Sequence, residues 1–298
     1  MYDILIIGAG PAGISAGIYA VSRGKKSLVL EEALVDGIIG KVSTVTHYTA
    51  LQAQETGATF AARMKEQAQA AGVEIAYETV TGVELTGDVK TVHTDKGTHQ
   101  ARRVILANGG TPRKLGIPGE IELAGKGMGL NAPRDGAAYT GKNIYVVGGA
   151  DGAVKEALYL ASFARQLTII HFEDQLGCIP EFRNKIAAAD NIKLCLGSRL
   201  HAVHGTDQVE RLEIISEHDG TVQTIEDPGC GIFVYAGVTP NTQLYTELDM
   251  QDGYFVTNDN MQTSVPGVYA AGDIRAKQVR QVATAVSDGA IAAINAAL

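Results

Sequence analysis

The chain opens on an apolar run that is short enough to be one buried strand. Residues 3–7 read Asp-Ile-Leu-Ile-Ile, residues 12–23 are rich in small and helix-forming side chains, and residues 27–30 form a second apolar run. A continuous apolar run without alternation is typical of a parallel strand that is covered on both faces. The pattern therefore predicts a strand, a helix and a second strand at the N-terminus.

The same order of patterns recurs near the middle of the chain. Residues 143–147 predict a strand, residues 154–165 a helix and residues 167–172 the next strand, while the alternating residues 209–215 predict one arm of a hairpin. Strands that alternate with helices are typical of α/β domains with parallel sheets. We therefore predict the α/β fold class, and 298 residues are enough for two such domains.

Each predicted unit carries a glycine-rich turn directly after its first strand. The first turn reads Gly8-Ala9-Gly10-Pro11-Ala12-Gly13, and the second, a degraded copy, reads Gly148-Gly149-Ala150-Asp151-Gly152-Ala153. Glycines in such turns permit a tight bend, close approach of a pyrophosphate to backbone amides, and close packing of helix on strand. Both turns are therefore candidate phosphate sites for nucleotides.

Two acidic residues, Glu31 and Glu32, end the second predicted strand. Glu31 lies 18 residues beyond Gly13, near the roughly 20 residues at which a carboxylate accepts hydrogen bonds from an adenosine ribose. The ordered strand, turn, helix, strand and acid together predict dinucleotide binding by the N-terminal unit. A turn that is merely rich in glycine is the alternative.

Composition restricts the partners and the kinds of site. A net charge of −8 argues against binding to nucleic acid or to an anionic membrane surface. No apolar run approaches the ~20 residues of a membrane helix and no leader pattern is present, so we expect a cytoplasmic protein. Three widely spaced cysteines predict neither a disulfide framework nor a zinc site, and we predict no metal site.

Further blocks of sequence carry a more specific resemblance. Residues 103–110 read Arg-Val-Ile-Leu-Ala-Asn-Gly-Gly, and residues 263–273 read Thr-Ser-Val-Pro-Gly-Val-Tyr-Ala-Ala-Gly-Asp. With residues 112–119 and 233–242, they resemble the FAD fingerprints and interdomain crossovers of the low-molecular-weight thioredoxin reductases, which are FAD-dependent pyridine nucleotide-disulfide oxidoreductases. The resemblance runs over nearly the whole chain.

The resemblance implies a particular domain organisation. It predicts a homodimer of chains with two Rossmann-like domains of the ββα type, the second inserted into the first. The FAD domain would comprise residues 1–115 and 242–298, and a degenerate domain of the pyridine nucleotide type would comprise residues 116–241.

The resemblance also implies an FAD cofactor and the residues that hold it. In that family the acid at the position of Asp273 accepts a hydrogen bond from the ribityl chain, and the backbone at Arg280 and Gln281 faces the pyrimidine edge of the flavin ring. The implied cofactor residues are Gly8, Gly10, Pro11, Ala12, Gly13, Glu31, Glu32, Gly40, Lys41, Ala107, Asn108, Gly109, Gly272, Asp273, Arg280 and Gln281.

The second domain departs from the family at its nucleotide site. Ala150 stands where the family has a glycine, and Glu173 and Asp174 lie in the segment that carries the family's arginines for the 2′-phosphate of NADPH. Carboxylates would repel that phosphate, which argues against NADPH. As an acceptor for a ribose 2′-hydroxyl, Glu173 would suit NADH or a second FAD; the alternative is a vestigial pocket. The second nucleotide site would comprise Gly148, Ala150, Asp151, Gly152, Ala153 and Glu173.

The chain also departs from the family at its redox disulfide. Where the family has Cys-x-x-Cys-Asp-Gly, this chain reads Asn131-Ala132-Pro133-Arg134-Asp135-Gly136. Without the two cysteines, electrons cannot leave a flavin by the dithiol route. Arg134, as a cation near the flavin or a substrate carboxylate, and Asp135, as a proton relay, are the candidate catalytic residues. A surface arginine is the alternative.

These observations lead to one expected function and two alternatives. We expect an FAD-dependent oxidoreductase that moves electrons through the flavin alone, with NADH or a protein carrier such as ferredoxin or flavodoxin as donor. The first alternative is an electron conduit with a second FAD or adenine nucleotide in the inserted domain. The second is a flavin-binding redox sensor or pseudoenzyme.

Overall fold

The computed structural model describes residues 1–298, which form two compact units. Unit 1 comprises residues 1–41, 45–111 and 239–298, and unit 2 comprises residues 42–44 and 112–238. Most of unit 2 is therefore an insertion in the chain of unit 1.

The strands and helices follow the order expected for repeated α/β units. The strands are β1 (Tyr2–Ile7), β2 (Ser27–Glu31), β3 (Ile75–Tyr77), β4 (Val80–Glu84), β5 (Lys90–Thr94), β6 (Gly97–Leu106), β7 (Gly110–Pro112), β8 (Met128–Gly129), β9 (Asn143–Val147), β10 (Gln166–Ile170), β11 (Ile192–Cys195), β12 (Ser198–His204), β13 (Arg211–Ser216), β14 (Val222–Glu226), β15 (Gly231–Val234), β16 (Val238–Pro240), β17 (Met250–Gln251), β18 (Tyr254–Phe255) and β19 (Val268–Ala270). The helices are α1 (Pro11–Ser22), α2 (Gly57–Ala70), α3 (Ala132–Asp135), α4 (Asp151–Ala161), α5 (Pro180–Ala187) and α6 (Val282–Ala296).

Unit 1 is built on a seven-stranded sheet in the order β3-β2-β1-β6-β5-β4, with β19 also paired to β6. The strands β3, β2, β1, β6 and β19 pair in parallel, and β4 and β5 are added in antiparallel orientation. Residues 4–6 of β1 are fully buried, as expected for a strand that is apolar on both faces. The helices α1 and α6 pack closely against each other, which brings the two ends of the chain together.

Unit 2 contains a five-stranded parallel sheet in the order β11-β10-β9-β15-β8 and a separate antiparallel sheet of β12, β13 and β14. One apolar cluster lies between the parallel sheet and the helices α4 and α5, and another lies on the opposite face. The predicted α/β fold with two Rossmann-like domains is confirmed. Helix α4 begins at Asp151, three residues earlier than the pattern predicted, because the small residues of the second glycine turn form its first turn.

None of the helices combines the length and the apolar character that a membrane crossing would need.

Candidate nucleotide sites

The first glycine turn of unit 1 connects β1 to α1 by a very close backbone approach. A Cβ atom built on Gly13 would lie 1.8 Å from the carbonyl oxygen of Gly8. Gly8 has a φ of +101°, a backbone conformation that L side chains rarely adopt. Pro11 occupies the first turn of α1, where its missing N–H removes no helical bond. Glycine at Gly13 therefore permits the close approach of α1 to β1, and glycine at Gly8 permits the positive φ.

Gly10 differs from Gly8 and Gly13 because no other part of the protein crowds it. A Cβ on Gly10 would meet only the Cα of Gly37, at 3.7 Å. Gly10 is also the N-cap of α1, and no side chain caps the helix there. The N-terminus of a 12-residue helix thus faces an open cradle with its positive dipole end. This is the arrangement that binds a pyrophosphate.

Glu31 lies beside this turn, as its spacing predicted, and it is bonded to the turn itself. Its Oε2 accepts a hydrogen bond from the backbone N–H of Ala9 at 2.7 Å, and its Oε1 accepts one from Ala33 at 3.2 Å. Each carboxylate oxygen can accept more than one bond, so the carboxylate keeps capacity for a ribose hydroxyl. Glu32 is exposed and has no such contact with the turn.

The second fingerprint of unit 1 ends next to the same helix. A Cβ on Gly272 would lie 2.9 Å from the Cβ of Ala12, so the turn after β19 packs directly on the start of α1. Asp273 follows it. One of its oxygens, Oδ1, is buried and accepts no hydrogen bond, although the side chain as a whole is 41% exposed. Burial raises the pKa of this carboxyl, and the charge of Lys277 opposes that shift.

The Arg280-Gln281 pair only partly matches its expected role. The backbone N–H of Gln281 donates to Thr284 Oγ1 at 3.1 Å as part of the start of α6. This leaves the Arg280 N–H as the backbone donor of the pair. The Arg280 guanidinium lies 4.0 Å from the centre of the Tyr254 ring, and its Nη2 donates to the carbonyl of Arg275. Its side chain therefore braces the loop before α6.

Ala107, Asn108 and Gly109, which follow β6, differ in how far their polar groups are already bonded within the protein. Ala107 continues β6, and its N–H donates to Ile7 O at 2.8 Å. Asn108 pairs reciprocally with Asn241: each side-chain amide donates to the other residue's carbonyl, at 2.9 and 2.8 Å. This pairing makes Asn108 a brace between chain segments. Gly109 has open space around it, and so a ligand could approach its backbone.

The short turn that contains Gly40 and Lys41 lies beyond β2. A Cβ on Gly40 would lie 2.3 Å from the Cβ of Asp36, so this glycine is needed for local packing. Lys41 is exposed, and its charge opposes the rise in the pKa of Asp36 that burial causes. The backbone N–H of Gly40 donates to Asp36 O and that of Lys41 donates to Ile38 O, each at 3.1 Å.

Unit 1 fits an FAD. The open cradle at Gly10 suits a pyrophosphate, and the buried, unpartnered Asp273 Oδ1 suits a ligand hydroxyl, because a buried acceptor without a donor is otherwise unfavourable. Two further residues contribute to this site, and no motif in the sequence pointed to them. The first is Gly37, which approaches Gly10; the turn dipeptide Asp36-Gly37 could have indicated it. The second is Asp288, whose Oδ2 accepts a hydrogen bond from the Gly272 N–H at 3.1 Å; its position as the one charged residue of α6 could have indicated it.

The second glycine turn, in unit 2, keeps the tight backbone of a phosphate turn, but a histidine ring packs against it. Gly148 has a φ of +130°, and a Cβ there would lie 2.9 Å from the Cβ of Ala153 and closer still to the Tyr235 carbonyl. A Cβ on Gly149 would lie 2.5 Å from the ring of His171. His171 is 6% exposed, and its Nδ1 is buried without a partner. The turn thus keeps its backbone shape and carries an imidazole against it.

The remaining residues of the second nucleotide site surround the start of α4. Ala150 is the exposed N-cap, without a side-chain cap, and Gly152 has open space around it. Asp151 Oδ1 accepts a hydrogen bond from the Ile179 N–H at 2.8 Å, so it holds a neighbouring loop. Glu173 is 56% exposed, and its Oε2 lies 3.1 Å from His171 Nε2. The structure therefore brings Glu173 to the turn through His171.

The charge around Glu173 does not resemble a phosphate clamp. Phe172, Glu173 and Asp174 are all exposed. Arg199 lies close to this segment: its guanidinium is 4.5 Å from the centre of the Phe172 ring, and its Nε donates to Glu217 at 2.7 Å. Asp174 Oδ1 lies 3.0 Å from His218 Nε2.

Arg134 and Asp135, the candidate catalytic residues of unit 2, are bonded to each other. Arg134 Nε donates to Asp135 Oδ1 at 2.7 Å and its Nη2 donates to Oδ2 at 3.0 Å. Asp135 Oδ2 also accepts from the N–H groups of Leu130 and Asn131. Hydrogen bonding from Arg134 lowers the pKa of Asp135 below its usual value. A carboxyl with a lowered pKa is a poor proton relay near neutral pH, and its bonds hold the loop.

Replacing Arg134 with alanine is expected to raise the pKa of Asp135 and to lower stability by less than about 1 kcal/mol, because Arg134 is 61% exposed and solvent screens the pair. The stabilisation is present above about pH 4, the usual aspartate pKa, and is lost as the pH falls through the lower folded value. Carboxyl carbon NMR titration and urea unfolding at several pH values measure both effects. An unchanged Asp135 pKa would contradict the pairing.

The three cysteines of the chain lie away from the Asn131-Ala132-Pro133-Arg134 loop in sequence. Cys178 and Cys230 are buried and Cys195 is partly buried, all as free thiols. Burial raises the pKa of Cys178, and it raises the pKa of Cys230 to about 12. Because the thiolate is the nucleophilic form, these two thiols are unsuited to disulfide exchange.

Comparison with known proteins agrees with this geometry. The family profile described as pyridine nucleotide-disulphide oxidoreductase matches residues 2–289. A thioredoxin reductase of Peptoclostridium acidaminophilum is 38% identical over 302 aligned positions, covering 99% of this chain and 96% of that protein. The crystal structure of Lactococcus lactis thioredoxin reductase superimposes with a TM-score of 0.95 at 34% identity, covering 99% of this chain and 98% of that one.

A second solved structure adds a different relative. The ferredoxin-flavin thioredoxin reductase of Clostridium acetobutylicum has a TM-score of 0.54 at 28% identity, covering 99% of this chain and 96% of that one. The profile match and the identity over nearly full length confirm the resemblance seen in the sequence. The chain therefore belongs to the pyridine nucleotide-disulphide oxidoreductase family and has the thioredoxin reductase-like fold of its FAD-dependent members.

Proposed function

We propose that this protein is an FAD-dependent oxidoreductase that passes electrons through its flavin without a redox disulfide. The observation that carries the proposal is the loop Asn131-Ala132-Pro133-Arg134, which has no cysteine where the resembled enzymes have two. The raised pKa values of Cys178 and Cys230 support it, because neither thiol is poised to replace the missing pair.

The residues of unit 1 hold and orient the cofactor in this proposal. Bound FAD supplies the redox chemistry, since its ring can take up a hydride or single electrons. The N-terminus of α1 and the amides beside Gly10 bind the pyrophosphate. Glu31 accepts from the adenosine ribose, and Asp273 Oδ1 accepts from the ribityl chain. Arg134 is bonded to Asp135 and has a structural role in this proposal: the pair holds the loop that contains both residues.

The proposed donor is NADH or a protein carrier such as ferredoxin or flavodoxin. The exposed carboxylates of Glu173 and Asp174 disfavour the 2′-phosphate of NADPH through charge repulsion. The bond between Glu173 and His171 supports NADH, because it holds an acceptor near the second turn for a ribose hydroxyl. The relative from Clostridium acetobutylicum, which is named for ferredoxin and flavin, supports the carrier.

An anaerobic titration of the purified protein tests the proposal. The flavin content per chain is measured first, and the visible flavin absorbance is then followed after addition of NADH, NADPH or reduced ferredoxin. We expect one FAD per chain and reduction by NADH or ferredoxin at least about tenfold faster than by NADPH, equivalent to about 1.4 kcal/mol in the barrier. Faster reduction by NADPH would contradict the proposed donor.

A matched variant sharpens the donor test. Glu173→Gln removes the charge and keeps the size, so reduction by NADPH should become faster relative to NADH while the flavin content stays unchanged. An unchanged ratio between the two donors would mean that Glu173 does not face the nucleotide. Slow reduction by every donor in both proteins would favour the flavin-binding sensor.

A second candidate is an electron conduit with an adenine dinucleotide resident in unit 2. The observation that favours it is the retained turn, where His171 Nδ1 is buried without a partner next to Gly149 and α4 has no side-chain cap. A resident second FAD would appear as two flavins per chain in the same measurement. One flavin per chain would exclude a second FAD, and the absence of any other adenine nucleotide from the denatured protein would exclude the candidate as a whole.

A further inference from the structure

A buried charge network lies under the second fingerprint of unit 1. Its centre is Asp288, which is 6% exposed and is the one charged residue of α6. Asp288 Oδ1 lies 2.8 Å from Arg275 Nη1, and its Oδ2 lies 2.9 Å from Lys277 Nζ. The backbone N–H of Gly272 also donates to Oδ2, at 3.1 Å. One carboxylate thus holds two cations and the turn that precedes Asp273.

Lys277 lies between two carboxylates and is bonded to only one of them. Its Nζ is 2.9 Å from Asp288 Oδ2 and 3.7 Å from Asp273 Oδ1, which is beyond hydrogen-bond distance. Asp273 Oδ1 is therefore in an ion pair with Lys277 but accepts no hydrogen bond from it. The lysine side chain is 11% exposed, so its charge cannot be satisfied by water alone.

The charge of Asp288 decides which of the two carboxylates the Lys277 ammonium bonds. Arg275 is fixed from a second side, since its Nε donates to Thr257 Oγ1 at 2.8 Å, whereas the lysine ammonium is carried on a flexible stem with three rotatable donors. If Asp288 lost its charge, Lys277 would be left as a nearly buried cation. Asp273 would then be the closest carboxylate to compensate it.

We propose that Asp288 is a positioning residue for the flavin: by holding Lys277, it keeps Asp273 Oδ1 free to accept a hydrogen bond from FAD. The inference rests on the proposed FAD site of unit 1 and extends it to a residue that does not touch the cofactor. Asp288 also fixes the Gly272 turn through its backbone N–H, so the acceptor is held in place as well as kept free.

Four full-length proteins test this role: the wild type, Asp288→Asn, Lys277→Met and the double variant. Each is stripped of flavin, and its dissociation constant for FAD is measured by fluorescence, with the thermal unfolding of the flavin-free protein as a separate readout. In Asp288→Asn, the lysine is expected to bond Asp273 and to weaken FAD binding at least about tenfold, the effect of losing one hydrogen bond to a charged group.

The other two variants separate positioning from a merely structural role. Lys277→Met removes the competing donor, so its dissociation constant should stay within about threefold of the wild type. In the double variant the lysine can no longer occupy Asp273, so FAD binding should recover to the same range even if the unfolding temperature stays lowered. Recovery of binding without recovery of stability is the signature of the proposed role.

Several outcomes would overturn the inference. They are an unchanged dissociation constant in a folded Asp288→Asn, equal loss of FAD in the single and double variants, and weakened binding in Lys277→Met. The last of these, measured in Lys277→Met, remains informative even if Asp288→Asn alone fails to fold. A wild-type protein that binds no FAD would instead contradict the proposed function.

Discussion

Gly13→Ala is expected to destabilise unit 1 by about 3 kcal/mol, the upper end of ordinary overpacking effects. The added Cβ would lie 1.8 Å from the carbonyl oxygen of Gly8, and neither the helix nor the strand can move without disturbing the parallel sheet. This is a large share of the 5–15 kcal/mol that stabilises a typical domain. Urea unfolding of the flavin-free protein measures the change.

Gly152→Ala is the matched control for that substitution. Gly152 also lies in the first turn of its helix, α4, one position before the counterpart of Gly13, but no other part of the protein lies within 4 Å of the position of its Cβ. Alanine there should leave stability within about 1 kcal/mol of the wild type and raise it slightly, since alanine favours helix. If Gly13→Ala unfolds at the same urea concentration as this control, the described packing of α1 on β1 is wrong.

Gly10→Ala is expected to leave a folded protein that binds FAD at least about tenfold, and up to about a hundredfold, more weakly. The protein itself has room for the methyl group, because only the Cα of Gly37 would be near it, at 3.7 Å. The crowding would come from a pyrophosphate that approaches the amides of the turn. Fluorescence titration with FAD measures the loss.

The unfolding curve of flavin-free Gly10→Ala provides the control within the same protein. It should match the wild type, because the φ of Gly10 is −74°, which alanine adopts without strain. Wild-type affinity for FAD in this variant would show that no phosphate approaches the turn. The two glycine substitutions thus separate the role of the turn in folding from its role in binding.

The arrangement of unit 1 explains how one sheet can serve both ends of a long cofactor. The turn after β1 and the turn after β19 both lie at the carboxyl ends of parallel strands, and Gly272 packs on Ala12. Ligands of open α/β sheets bind at that edge. Residues from the first and last segments of the chain are therefore brought to one site by the pairing of β1 and β19 with β6.

The second turn keeps its backbone shape, and the proposed change of electron donor concerns only the residues around it. Gly148 and Gly149 are still required by the contacts with Tyr235 and His171, so the backbone has the shape of a phosphate turn. The residues beyond β10 carry carboxylates in place of cations. Because charge at that position decides between a 2′-hydroxyl and a 2′-phosphate, the donor can change without any change in the sheet.

Much of the fold could be predicted from the sequence because the signals are local. The continuous apolar runs of β1 and β9 and the glycines that follow them need only a few neighbouring residues to be recognised. The boundary of α4 was misplaced by three residues, since the pattern of small residues at 151–153 gave no apolar period to mark the helix start. The loop Asn131-Ala132-Pro133-Arg134 could be identified as free of cysteine by its letters alone.

The type of fold, the two glycine turns, the acid at Glu31 and the absence of a cysteine pair could all be recognised in the amino-acid sequence alone. The pairing of the ionisable side chains required the folded structure: Arg134 pairs with Asp135, Glu173 with His171, and Lys277 with Asp288 at 2.9 Å and, more distantly, with Asp273 at 3.7 Å. The physical reason is that backbone patterns follow from local chain geometry. An ion pair depends on differences of about 1 Å, as between 2.9 and 3.7 Å at Lys277, that are set only when distant segments pack together.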